Sequence, residues 1–175
     1  MLRVLLPLVE SRGEHKIACG AGCNACCNSF VRCSLPEALL VADWLRLPEN
    51  AAVLGRFREK LPAWRGRAGG LAAELNALVD ENRDWERYDR LGVEYGLRQN
   101  LCPLNHEGRC EIYPARPTIC RSVHVLETSE YCTPGRGGRP KVLTHPALEA
   151  AVRDAGAGHE MRAIPEAVAW ALEQP

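Results

Sequence analysis

The stretch SLPEALLVADWLRL at residues 34–47 decides the fold class. A serine followed three residues later by glutamate, just ahead of an apolar run, is a capping box: each side chain satisfies an amide at the helix start that has no partner within the helix. The helix it opens is expected to run to about Leu47, where Pro48 and Asn50 punctuate the chain. Beyond it, Val53, Leu54, Phe57 and Leu61 recur at helical spacing over 51–64, and Pro62 is expected to end that helix. A Gly-rich link over 65–70 follows. Then Leu71, Leu75, Leu78, Val79, Trp85, Tyr88 and Leu91 predict one helix over 71–91, with 92–99 undecided. Further helices are expected over about 145–155 and 164–172. The reading is a mainly α fold: a small helical domain with cysteine-rich loops and short β-strands around a metal centre, one domain over 1–175.

Working outward from that helix, each side carries cysteines, nine in all. Before it stands CGAGCNACC at 19–27, and after the helical spacer stands CPLNHEGRCEIYPARPTICR at 102–121. Metal ions and iron-sulfur clusters need several thiolates converging within a few ångströms, and a Cys-x2-Cys loop such as Cys23 to Cys26 brings two together while aiming backbone amides at the sulfurs. Cys19 can reach the same face through a turn. Cys27 is expected to point elsewhere, because adjacent residues diverge in any regular conformation. Cys102, Cys110 and Cys120 lie in a Pro- and Gly-rich region of loops and short strands. Asn105 to Gly108 reads as a turn, Glu111-Ile-Tyr113 as a short strand, and the segment from Pro114 as the start of a single helical turn carrying Cys120.

The expected metal ligands are Cys19, Cys23, Cys26, Cys27, Cys102, Cys110 and Cys120, with Cys33 and Cys132 optional. Seven thiols exceed the four of one mononuclear site, so two ions or a multinuclear cluster fits better. Four thiolates around a divalent centre leave net negative charge that is costly to bury, and Arg116 and Arg121, beside Cys120, are placed to offset it. His106 and His124 are weighed as further ligands, while His15, His145 and His159 read as surface or capping residues. Trp44 and Tyr113 read as core.

These two motifs resemble the bacterial cysteine-cluster proteins named for their CxxCxxCC motif and described as zinc- or iron-chelating, the YkgJ type. Cys102, Pro103, Leu104, Gly108, Cys110, Ile112, Tyr113, Arg116, Pro117, Cys120 and Arg121 stand in the family's places. The first motif departs by carrying three residues between Cys19 and Cys23, and Ser122-Val-His124 replaces the aromatic-proline pair that often follows Cys-Arg. The resemblance implies metal chelation. A flagellin lysine methylase is similar to the family in its cysteine motifs, so an enzymatic role stays open.

Composition narrows the classes. Lys plus Arg equals Asp plus Glu at 22 each, so no net field draws the chain to nucleic acid or an anionic membrane. No window approaches the roughly 18 apolar residues of a membrane span. The N-terminal apolar run is short and interrupted by Pro7, and reads as a strand or extended arm rather than an export signal. A cytoplasmic protein with reduced thiols is therefore expected rather than a disulfide framework. The loop at 133–141 is basic but lacks a phosphate-cradling pattern.

The function expected is metal binding, as an iron-sulfur cluster or other multi-thiolate iron centre with zinc as the alternative cofactor, in a redox or accessory role. A structural-zinc interaction protein and a metal-dependent enzyme, redox or methyl-transferring, are the alternatives. Metal ions are the expected partners, a protein partner is left open, and neither nucleic acid nor membrane is expected.

Overall fold

The computed structural model describes residues 17–19, 22–82, 84–132, 141–143, 150 and 158–175. The N-terminal arm over 1–16, with His15, lies outside them, as do the basic loop over 133–140, His145 and, apart from residue 150, the helix expected over 145–155. The described chain is mainly helical, and none of its helices is long and apolar enough to cross a membrane.

Helix α1 spans Leu35–Arg46, and its capping box is closed: Ser34 N–H donates to Glu37 Oε2 at 3.1 Å and the Ser34 hydroxyl at 2.9 Å. Ala38, Val41, Ala42 and Leu45, spaced i, i+3, i+4, i+7, are its buried face. That face packs on the C-terminal helix α6, Ile164–Glu173, through small residues that include Ala167, Val168 and Ala171. Arg46 donates to the carbonyls of Ala171 and Gln174 at the end of α6, at 3.1 and 2.6 Å. The two helices also enter side by side. Strand β1, Arg32–Ser34, pairs antiparallel with β6, Met161–Ala163, in the register Cys33↔Arg162.

Helix α2, Ala51–Trp64, does not stop at Pro62. It runs on through a π-helical turn, Arg65–Gly69, into α3, Gly70–Ala77, and a second such turn, Leu78–Asn82. The expected Gly-rich link is therefore helical. A proline inside a helix costs about 3 kcal/mol and each glycine about 1. Against this, Phe57, Leu61, Trp64, Leu71 and Leu75 are buried along the same continuous stripe, each worth about 1.5–3 kcal/mol. Burial outweighs propensity.

The single helix expected over 71–91 is instead divided. Asp84 caps a new helix, α4, Trp85–Leu97, its carboxylate accepting Arg87 N–H at 3.0 Å. Trp85, assigned to the buried stripe by periodicity, begins that helix and is 56% exposed, with its ring edge-on to Tyr88.

The central cysteine region holds a hairpin, β2 Asn105–His106 with β3 Arg109–Cys110. Its two turn residues, Glu107 and Gly108, have φ of 49° and 77°, the left-handed pair that a tight hairpin turn requires. No strand forms over 111–113: past Cys110 the hairpin adds one further rung, Glu111 N–H to Leu104 O at 2.9 Å, and the chain then enters a 3-10 turn, Tyr113–Ala115, that carries Pro114, which cannot donate to a ladder. Tyr113 is 46% exposed rather than core, with Arg116 lying over its ring at 3.6 Å. The single turn α5, Ile119–Ser122, carries Cys120, and β4, His124–Val125, pairs with β5, Val142–Leu143.

Candidate functional site

All nine cysteines lie among the described residues, and all are free thiols. Cys26 and Cys27 sit in a 3-10 turn, Ala25–Asn28, closed by Cys27 N–H to Asn24 O at 2.9 Å and Ser29 N–H to Cys26 O at 3.1 Å. The Cys27 thiol lies close enough to Cys26 to raise it through a hydrogen bond. A tight turn of four residues is not bound by the alternation of a strand or the pitch of an α-helix.

The two motifs are clasped together. Cys102 N–H donates to Cys27 O at 2.8 Å, and Asn105 Nδ2 donates to Cys27 Sγ at 3.5 Å. Other amides are aimed at sulfur: Leu104 N–H at Cys102, Ile112 N–H at Cys110, and Val125 N–H at Cys19, the last at 3.2 Å. In the first two the donor lies two residues after the cysteine. Asn105 carries no signal in the sequence, since asparagine in a turn reads first as a turn former.

Electrostatics divides the thiols into two sets. Cys26, Cys110 and Cys120 raise Cys102, Cys26 and Cys110 raise Cys120, and Cys26 raises Cys110. Cys23 and Cys26 raise Cys19, and Cys19, Cys23 and Cys26 all raise Cys132. Cys26 thus stands between the sets. Burial, with the neighbouring thiols behind it, pushes Cys102 and Cys120 up to about 12. Cys26 is raised well above the usual thiol range, first by its hydrogen bond to Cys27. Burial likewise raises Cys110 and Cys19.

Arg116 opposes these shifts at Cys19, Cys26, Cys110 and Cys120, and its guanidinium donates to Cys120 O at 3.3 Å. Arg121 is buried and bonds the carbonyls of Pro114 and Arg116 at 2.6 and 2.8 Å, which holds the chain around Cys120 and places a second cation near Cys110. Cys33 is fully buried in β1 as part of the core. His106 lies 3.4 Å from Lys60 Nζ, His124 is in β4, and His159 is exposed.

The four-thiol set borders a cavity of about 530 Å³, with Cys27, Phe30, Tyr88, Tyr95 and Ile164 also in its wall. A second cavity, about 320 Å³, lies between Lys60, Trp64, Pro103 and His106. Among the described residues, no group of three or more His, Cys, Asp or Glu side chains is arranged to hold a metal ion as placed. No family model, curated protein or solved structure matches the chain.

Proposed function

We propose that this is a cytoplasmic metal-binding protein whose centre, an iron-sulfur cluster or other multi-thiolate iron site with zinc as the alternative, is held by Cys26, Cys102, Cys110 and Cys120. Cys27, Cys19 and Cys23 complete the ligand set, and the role is redox or accessory. One observation carries the reading: N–H groups are directed at the sulfurs of Cys19, Cys27, Cys102 and Cys110. A neutral thiol is a weak acceptor, so four such donors make chemical sense where the sulfurs carry negative charge. Burial alone opposes that charge, as the raised thiols record. A bound cation reverses the balance and deprotonates its thiols outright. Bound there, an iron-sulfur cluster supplies one-electron transfer, and zinc supplies structure.

The donor chemistry fits either metal, and the resemblance of the two motifs to chelating cysteine-cluster proteins points the same way. The test is metal analysis and a visible spectrum of protein isolated without oxygen, with Cys26→Ser and Cys120→Ser beside Cys33→Ala. Stoichiometric metal is expected in the wild type and Cys33→Ala and is expected to fall in the other two, with visible absorption only if the metal is iron. Wild-type protein that is folded and carries no metal above trace would sink the reading.

A further inference from the structure

The cavity bordering the thiols is larger and differently lined than a metal ion or cluster requires. At about 530 Å³ it falls within the range of small-molecule sites. One part of its wall is sulfur. Another is aromatic: Phe30 meets Tyr88 and Tyr95 edge-to-face, with ring centroids at 6.2 and 5.9 Å and interplanar angles of 73° and 71°, a mutually braced wall. Met161, Ile164 and Leu104 add aliphatic surface. Ile119 and Val123 line the cavity and are 39% and 45% exposed, which puts them at its opening.

The charged groups of the wall are engaged elsewhere. Arg32 Nη2 donates to both Asp80 carboxylate oxygens at 2.6 and 2.7 Å and to Met161 O at 3.0 Å. Glu37 accepts from Ser34 and from Thr118 N–H at 2.8 Å. Arg116 is stacked on Tyr113 and bonded to Cys120 O. A charged ligand would lose its hydration and find Arg32 neutralised by Asp80, the Glu37 oxygens already accepting, and Arg116 already held by a ring and a carbonyl. Arg32 Nε is buried without a partner, which suits a carbonyl or ether oxygen but not a full negative charge, since Asp80 already neutralises that guanidinium. An apolar molecule meets no such penalty, because it needs no charged partner and removes its own surface and that of the rings from water.

We infer that this cavity binds a neutral small molecule with an aromatic or aliphatic body, held between the Phe30, Tyr88 and Tyr95 rings and the thiol wall. The inference rests on the metal reading only for what the sulfurs become; the pocket itself does not depend on it. With a centre in place, the ligand lies against the thiolates of Cys102 and Cys120 as its substrate or as a modulator of its exposure to solvent.

The test is fluorescence titration with N-phenyl-1-naphthylamine, an uncharged probe, on metal-loaded and metal-stripped protein, beside 1-naphthoate as an anionic comparator. Saturable one-to-one binding is expected in both forms, at least tenfold tighter for the neutral probe. Val123→Trp and, independently, Ile119→Trp are expected to weaken it at least tenfold by plugging the opening, while Leu40→Ser, which alters an exposed leucine outside the cavity, leaves it unchanged. Tighter naphthoate binding, retention of affinity in both plugged variants, or loss in Leu40→Ser would overturn the inference. Binding only to stripped protein would overturn it too, showing that the metal fills the space while the metal reading stands. Probe binding as expected in a protein that takes up no metal would keep the cavity inference and end the metal reading.

Discussion

Glu37 does two jobs, and replacing it with glutamine separates them. Its Oε2 accepts Ser34 N–H and the Ser34 hydroxyl, capping α1, while Oε1 accepts Thr118 N–H at 2.8 Å, two residues before Cys120. Glutamine keeps one oxygen. If that oxygen faces Thr118, the amide NH2 faces the Ser34 N–H; if it faces Ser34, the NH2 faces Thr118 N–H. Either orientation sets donor against donor and strips the charge from the remaining bond. Hydrogen bonds to a charged acceptor contribute about 1.5–3 kcal/mol each, so losing one and weakening another is expected to cost about 2–3 kcal/mol. For a chain of this size that is a midpoint lower by about 4–12 °C.

Thermal unfolding of metal-stripped Glu37→Gln measures this cost, with Glu49→Gln as the exposed control. Ser34→Ala isolates the cap: it keeps the Ser34 N–H bond and is expected to cost about 1 kcal/mol. Alkylation then reads the second job. Cys120 is expected to lose protection in Glu37→Gln and to keep it in Ser34→Ala, because only the first frees Thr118. A Glu37→Gln midpoint indistinguishable from that of Glu49→Gln would refute the claim that this carboxylate ties the cysteine loop to the helix.

Three further outcomes are expected. Asn105→Ala removes the amide donor from Cys27 and is expected to weaken metal retention about 10–100-fold, measured by chelator competition. In metal-free protein, burial holds Cys102 and Cys120 near 12 against an ordinary 9.0, so the stability they contribute as neutral thiols is intact below about pH 9 and lost as pH rises through about 12. That loss is on the order of 4 kcal/mol for either thiol alone, read from denaturant midpoints across pH; metal uptake runs the other way, releasing protons and tightening with pH. Finally, metal removal is expected to raise hydrogen exchange in the cysteine loops while α1 and α6 keep their protection, since their contact is apolar and does not involve the thiols of the four-cysteine set.

Where local chemistry decides structure, the sequence is legible. The Ser34 and Glu37 pair places the start of α1, and the turn at Glu107 and Gly108 follows from a Gly where left-handed backbone is needed. It misleads where two signals compete. Pro62 and three nearby glycines argue for a break, but the buried stripe through Trp64, Ala68 and Leu71 needs the helix to continue, and the wide turn at Arg65–Gly69 lets it. Trp85 and Tyr113 fail in the opposite way. Both are large side chains that the sequence assigns to the core, and both are partly exposed against a neighbour, Trp85 edge-on to Tyr88 and Tyr113 under Arg116.

The thiols show the same division at longer range. Each motif could be recognised from its spacing, because a short loop fixes the distance between its own cysteines. That the two motifs close on one centre could be expected too, but not the contacts that join them, such as Cys102 N–H to Cys27 O. Sequence alone suggests two half-sites, an N-terminal and a central one. In the fold Cys26 raises Cys102, Cys110 and Cys120 and also Cys19 and Cys132, the last a residue the motif does not contain. That makes Cys26 the residue on which the arrangement turns. A centre confined to the four-thiol set needs Cys26 but not Cys19, Cys23 or Cys132; one that extends across both sets needs Cys26 as its bridge. Cys19→Ser, Cys23→Ser and Cys132→Ser together separate these arrangements, since metal lost with any of them requires the second set to be part of the centre, and metal retained in all three confines the centre to the first.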